Sequence, residues 1–149
     1  MTLMRYAVIA AIAIPLTAQT PKVPTKDTYS ARLSAVPADA RTRAELTGSG
    51  AATATLSGTK LTISGSFEGL KTAATTANLH NGVIAGVRGP AIADLTIAKA
   101  TSGMITGSVD LTPEQLDHLH KGGLYVEIHS EKAPDGVIWG WLLKGDQAR

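Results

Sequence analysis

The chain has 149 residues, a formal net charge of +2 and no cysteine. This length is enough for one domain, and the lack of cysteine excludes disulfides and thiolate metal ligands. The basic residues are scattered and form no stripe interleaved with aromatic residues, so no nucleic-acid partner is expected. Plentiful Gly, Ala and Thr, with short alternating runs, favour an all-β domain.

The first residues have the pattern of a secretory signal peptide. Arg5 supplies a positive charge, and residues 7–16 form an apolar run. A bilayer-spanning helix needs roughly 20 apolar residues, so this run is too short. We expect a signal peptide over residues 1–18, with a retained anchor as the alternative. No second apolar run follows, so we expect no transmembrane segment in the mature chain and export to the periplasm or the extracellular space.

The rest of the chain predicts one domain. Residues 19–28 are polar, contain two prolines and predict a flexible leader. The domain is expected over residues 29–143, and residues 144–149 form a polar tail. Turn signals recur about every 8–12 residues, which predicts an antiparallel β-sandwich of about eight strands. The predicted strands cover residues 29–35, 51–56, 61–67, 75–80, 91–98 and 104–110, and the two arms of a C-terminal hairpin.

One short helix is predicted before the hairpin, over residues 112–121. Thr112 is a good N-cap, Pro113 suits the first helical position, and Gln115 completes a capping box with Thr112. Gly122 is a natural stop. Residues 38–49 are interpreted as a loop, with a short helix over residues 40–46 as the alternative.

The hairpin over residues 124–143 organises the predicted fold. Two alternating runs flank residues 130–136, which predict its connecting loop. Pairing about the centre of this loop predicts three cross-strand pairs: Tyr125 with Trp141, Glu127 with Trp139, and His129 with Val137. The predicted core consists of the following residues: Leu33, Leu56, Leu61, Ile63, Phe67, Leu79, Leu95, Val109, Leu124, Val126, Ile128, Ile138 and Leu142.

The order of these features resembles the CHRD domain, a module named after chordin and also common as a single domain in bacterial exported proteins. The most distinctive stretches are residues 122–130 and 134–142, and weaker ones extend the resemblance to residues 29–143. The resemblance implies a β-sandwich-like extracellular module with no known catalytic residue to transfer.

The chain departs from the family pattern on its polar face. A His-x-His pair usually lies on the middle strand, whereas this chain has Asn78 and His80. Glu127 stands where the family usually has Asn. The second hairpin arm usually carries Glu, Arg and Gln on one face, where this chain has Val137, Trp139 and Trp141. The core pattern is kept while these outward residues change.

The first candidate site is a metal centre formed by His80, Glu127 and His129, with Asn78 and Glu131 nearby. It requires the strand over residues 75–80 to lie beside the first hairpin arm. Two imidazoles and a carboxylate suit zinc, copper or iron. The alternative is that both histidines hydrogen-bond neighbouring loops and hold the glycine-rich connection over residues 81–90.

The second candidate site is an interaction surface formed by Tyr125, Trp139 and Trp141. With Glu127 and His129 they are predicted to form an outer face of the hairpin. Adjacent exposed indoles favour contact with a protein, a glycan or a second copy of the chain. The alternative is that the predicted helix or the segment over residues 38–49 covers them.

Three functions follow from these sites. The favoured one is an exported, non-catalytic binding module that uses the outer face of the hairpin. The second is a module for copper or zinc handling. The third is a metal-assisted oxidoreductase, and only the same histidines support it. His118 and His120 are two residues apart on a helix, so they diverge and are expected to be solvated. No nucleophile elbow or paired-carboxylate spacing is present, so an enzyme is expected less than a binding module.

Overall fold

The computed structural model describes residues 26–145. The predicted signal peptide, residues 19–25 of the leader and residues 146–149 of the tail lie outside this range. The described chain contains nine strands and one helix, in this order: β1 (Asp27–Ala35), β2 (Ser49–Ser57), β3 (Lys60–Glu68), β4 (Ala74–Asn81), β5 (Ala91–Ile97), β6 (Gly103–Asp110), α1 (Pro113–His120), β7 (Leu124–Ser130), β8 (Ala133–Trp141) and β9 (Leu143–Lys144).

The strands form one antiparallel sheet that closes on itself. Its order is β2-β3-β6-β5-β4-β7-β8-β1, and β1 also pairs with β2. This confirms the all-β prediction, but the predicted sandwich is wrong, because the eight long strands close into a barrel-like arrangement. Sandwiches and barrels both have one inward face, so both show the same alternation along each strand. The pairing of β1 with both β2 and β8 decides between them.

The two ends of the described chain meet on β1. β1 begins at Asp27, two residues before the predicted strand, and β9 pairs with it at Tyr29 and Ser30. Lys144 Nζ lies 3.0 Å from Asp27 Oδ1. The paired strands therefore extend slightly beyond residues 29–143, into the predicted leader and tail.

The predicted core residues are buried, except that Val109 is half-buried. The core also includes Tyr29 from β1, Ile105 from β6 and Leu119 from α1. Within residues 26–145, no helix has the length and apolar character needed to cross a bilayer.

α1 forms as its capping pattern predicts. Gln115 N donates to Thr112 Oγ1 over 3.2 Å, and Thr112 N donates to Gln115 Oε1 over 3.0 Å. Leu119 anchors the helix in the core, and Gly122 follows with a φ of +72°. Residues 40–45 form turns, so the alternative short helix is absent from this described segment.

The hairpin differs from the prediction at its tip. The pairs Tyr125–Trp141 and Glu127–Trp139 are as predicted. However, Ser130 pairs with Ala133, so the connection is a two-residue turn and the predicted loop over residues 130–136 is wrong. Residues 134–137 instead form a bulge within β8, opposite the single residue His129. The predicted pair of His129 with Val137 is therefore lost to this register shift.

Candidate metal centre

Pairing between β4 and β7 builds the polar face of the sheet. The two strands are antiparallel neighbours, with Asn78 opposite Glu127 and His80 opposite Tyr125. Directly opposed residues project their side chains to the same side of a sheet. The predicted neighbourhood of the two strands is thus confirmed, and it brings His80, Glu127 and His129 onto one face.

His80 is held by the glycine-rich loop, residues 82–90. Its Nδ1 lies 3.0 Å from the carbonyl oxygen of Gly89. Because a carbonyl oxygen only accepts hydrogen bonds, Nδ1 carries the hydrogen and the neutral ring has a lone pair on Nε2. This Nε2 is buried and has no hydrogen-bond partner within residues 26–145. It lies 3.5 Å from Glu127 Oε2, which is within ion-pair distance but lacks hydrogen-bond geometry.

His129 is held by the bulge in β8. Its Nδ1 lies 2.8 Å from the carbonyl oxygen of Pro134, so the same reasoning leaves Nε2 as the nitrogen that can bind a cation. Metal-ligating histidines usually donate their other ring N–H to a carbonyl or a carboxylate, which fixes the ring orientation. Both histidines of the cluster are anchored in this way.

Glu127 supplies a buried carboxylate, with its side chain only 3% exposed. Arg88 Nη2 lies 3.3 Å from Glu127 Oε1, and the Arg88 guanidinium also covers the Trp139 ring, 4.3 Å from its centroid. A buried carboxylate without a counter-charge is costly, so Arg88 stabilises it. A Cβ at Gly136 would collide with the Glu127 carboxylate, so glycine at this position leaves room for it.

The three side chains converge on one point. One ligand atom from each of His80, Glu127 and His129 lies within 4.8 Å of the other two. In a tetrahedral site with bonds of about 2.0–2.1 Å, ligand atoms are roughly 3.3 Å apart. The most distant ligand atoms would therefore have to approach each other around an ion, whereas His80 Nε2 and Glu127 Oε2, at 3.5 Å, already have nearly this spacing. Three protein ligands leave at least one position open to water or another group.

Tyr125 ties the glycine-rich loop to this face. Its hydroxyl donates to the Gly89 carbonyl over 3.1 Å and accepts from Gly89 N over 3.2 Å. The side chain is only 1% exposed, and its ring stacks on His80 with centroids 4.8 Å apart. Tyr125 and Glu127 share a face with the tryptophans, but the glycine-rich loop covers part of that face. A partner in solution cannot contact Tyr125 directly.

Burial raises the pKa of the Tyr125 hydroxyl above its ordinary value. The negative charge of Glu127 adds to this rise, whereas the hydrogen bond with Gly89 and the positive charge of Arg88 lower the pKa. The net result is a protonated phenol that keeps donating to Gly89 at neutral pH.

Trp139 and Trp141 are half-buried and lie edge to face, with centroids 4.7 Å apart. They line a surface groove of about 420 Å³ together with the outward residues of β1: Ser30, Arg32 and Ser34. The Trp141 Nε1 is buried and has no hydrogen-bond partner within the described part of the chain. The two segments predicted to cover the indoles were α1 and residues 38–49. Neither segment contributes a residue to the lining of this groove.

The other polar residues singled out in the sequence form hydrogen bonds with other partners or are exposed. Asn78 Nδ2 donates to Asp94 Oδ1 over 2.6 Å, and Glu131 is exposed within the two-residue hairpin turn. His118 was predicted to be solvated, but it is half-buried and its Nδ1 lies 2.9 Å from Asn81 Oδ1. His120 is exposed, as predicted.

Three residues of this site were not identified from the sequence: Arg88, Gly89 and Gly136. Each lies in a stretch whose glycines and proline mark turns, and turn signals do not show which side chain a loop approaches. The charge of Arg88, within an otherwise uncharged glycine-rich loop, was the available signal.

Comparison with known proteins gives one match, to a protein-family model. No curated protein and no solved structure matches the chain. The family model for the CHRD domain matches residues 29–142, which include β1 from Tyr29 onward, the other seven long strands and the whole cluster. CHRD domains are typically secreted or extracellular, and the family indicates a non-catalytic binding module. Because the match covers most of its length, the chain belongs to the CHRD domain family.

Proposed function

We propose that this protein is an exported CHRD module that binds a transition-metal ion, zinc or copper, through His80, Glu127 and His129. The observation that carries the proposal is the buried Nε2 of His80, which faces the Glu127 carboxylate at 3.5 Å without a hydrogen bond. Two electron-rich groups held this close repel each other unless a metal ion or a proton lies between them. A metal ion bound by all three side chains removes that repulsion.

The donor set agrees with this assignment. Neutral imidazole suits zinc and copper, and a single carboxylate adds one negative charge without the softness of a thiolate. An open coordination position suits a module that accepts an ion and passes it on. The export route proposed from residues 1–18 gives the module access to metal outside the cytoplasm.

Titration of zinc and of copper into the chelator-stripped protein tests the proposal. We expect saturable binding and a rise in melting temperature with excess metal, because a site present only in the fold must stabilise the fold. His80→Ala and His129→Ala should each lose most of the affinity. His120→Ala is the matched control, since His120 is an exposed histidine outside the cluster, and it should bind like wild type. A melting temperature that ignores excess metal would overturn the proposal.

A second candidate function is contact with a partner through the groove beside Trp139 and Trp141. It is supported by two half-exposed indoles that line one groove with the polar outer residues of β1. Trp139→Ser and Trp141→Ser should weaken self-association or binding to envelope or matrix material. Met104→Ser serves as the control, because Met104 is an exposed apolar residue outside this groove. Unchanged association and binding in both tryptophan variants would remove this function.

A further inference from the structure

A second cavity lies beside the cluster and is not used by the proposed metal site. It has a volume of about 350 Å³ and opens between the segment after β1, the tip of the β7–β8 hairpin and Arg88. This volume falls at the lower end of the range for small-molecule sites, roughly 300–1,000 Å³. The cavity therefore suits a small organic molecule better than a large one.

The lining of this cavity combines an apolar wall with positive charge. The apolar members are Val36, Pro37, Leu46, Ala133 and Pro134, and the basic members are Arg41, Arg88 and Lys132. Glu45 and Asp135 also line it, and Glu45 Oε2 lies 3.9 Å from Lys132 Nζ. Within residues 26–145 the guanidinium of Arg41 has no hydrogen-bond or ion-pair partner. The cavity thus offers an unused guanidinium next to an apolar surface.

Arg88 belongs to both the cavity and the cluster. Its guanidinium contacts Glu127 Oε1 at 3.3 Å, yet the side chain is 52% exposed and also lines the cavity. Gly136 and Pro134 also belong to both the cavity and the cluster. Gly136 leaves room for the Glu127 carboxylate, and the Pro134 carbonyl accepts a hydrogen bond from His129. A ligand in the cavity would therefore reach a group that balances the charge of the metal ligand Glu127.

The geometry points to a binding site for a small organic carboxylate in this cavity. Guanidinium groups bind carboxylates through paired, charge-assisted hydrogen bonds. The cavity is lined by two such groups, those of Arg41 and Arg88. The apolar wall of Pro37, Leu46 and Pro134 covers the body of the ligand. A carboxylate bound to Arg88 competes with Glu127 for it, so Glu127 becomes a better metal ligand. This last step rests on the proposed metal function, whereas carboxylate binding does not.

Titration of benzoate into the metal-free full-length protein tests the site. We expect saturable binding that weakens with added salt, and no binding of benzyl alcohol, which has a similar shape without the charge. Arg41→Gln should weaken benzoate binding about tenfold or more. Arg43→Gln is the matched control, because Arg43 is an exposed arginine of the same segment that does not line the cavity. Absent saturation, equal binding of the alcohol, or equal effects of the two variants would overturn the proposal.

Zinc titrations with and without saturating benzoate test the coupling. We expect benzoate to raise the zinc affinity and zinc to raise the benzoate affinity by the same factor, because coupling between two binding sites is reciprocal. Arg88→Gln should remove the coupling. Binding of both ligands without coupling would overturn the sharing of Arg88. Absent zinc binding with normal benzoate binding would overturn the metal function and leave the carboxylate site standing.

Discussion

Gly136 links the backbone of the β8 bulge to the chemistry of the cluster. Its φ is +112°, a value that side-chain-bearing residues rarely adopt, and a Cβ there would meet the Glu127 carboxylate. The same glycine therefore permits the bulge and leaves space for the buried acid. His129 is anchored to Pro134 in this bulge, so its shape positions two of the three cluster residues.

Replacing Gly136 with alanine should destabilise the fold and displace Glu127. Backbone strain of this kind costs about 1–3 kcal/mol, and the collision adds to that cost. Gly86→Ala is the control, because Gly86 has a φ of +86° but open space around it. Urea unfolding of both variants checks the prediction. Equal losses would show that strain alone matters at position 136.

Ile128→Ala should cost about 2–5 kcal/mol of unfolding free energy, since Ile128 is fully buried on the inner face of β7. Both neighbouring strands pair with it, at Ala77 on β4 and at Ile138 on β8. Denaturant unfolding measures this cost. A loss under about 1 kcal/mol would mean that the core tolerates a cavity at the centre of β7.

His129→Ala should be tolerated better than Ile128→Ala, because His129 is half-buried and its one hydrogen bond goes to the Pro134 carbonyl. It should nevertheless remove most of the metal affinity. Unfolding curves of wild type and variant, each with and without excess zinc, separate a metal ligand from a structural histidine. A structural role predicts the same loss in both conditions, about 0.5–1.5 kcal/mol from the lost hydrogen bond to the Pro134 carbonyl.

At the scale of elements, α1 is the clearest example of local control. The capping box satisfies the first free N–H groups, and Leu119 attaches the helix to the core. Backbone groups beyond the helix depend on it as well, since Gly123 N donates to the His118 carbonyl over 2.7 Å just before β7 begins. The helix end therefore helps to set where β7 starts.

Thr112→Ala should cost about 0.5–2 kcal/mol through the loss of this cap. Thr101→Ala, in the exposed turn before β6, is the matched control and should change stability by much less. Thermal unfolding of the two variants checks the difference. Adding Gln115→Ala to Thr112→Ala should cost less than the sum of the single changes, since the two side chains act as one reciprocal unit.

At the scale of the whole molecule, Tyr29 and Tyr125 link the fold to pH. Both are almost fully inaccessible, and burial raises the pKa of each hydroxyl above its ordinary value of 10.0. The negative charge of Asp27 adds to the rise at Tyr29, against a lowering by Lys144. Folded tyrosines with raised pKa values hold their protons more tightly than the unfolded chain does.

The contribution of these two tyrosines to the unfolding free energy should therefore be fully present below about pH 10. It should be lost as the pH rises from there through their raised pKa values in the folded protein. Urea unfolding across this range, with tyrosinate absorbance followed in parallel, checks the prediction. Tyr125→Phe should be less stable at neutral pH, because Gly89 loses its partner, yet should show a smaller alkaline loss. An alkaline loss of equal size in the variant would assign the effect to other groups.

Local patterns account for what the sequence alone determined. Alternation predicted the strands and about half of the core residues, because a residue's side of a strand depends only on its parity. The capping box predicted α1, since its hydrogen bonds lie within four residues. Parity and register together predicted that Glu127 faces the same side as Trp139, and the shared polar faces predicted that His80 joins them.

Contacts between distant segments decided the rest. The closure of the sheet depends on the pairing of β1 with β8, about a hundred residues along the chain. The bulge over residues 134–137 and the path of the glycine-rich loop decide that Arg88 meets Glu127 and that Tyr125 is buried. Turn residues specify that a chain bends but not what it covers. The sequence therefore predicted an open face, and only the tertiary structure shows that the glycine-rich loop partly covers the cluster.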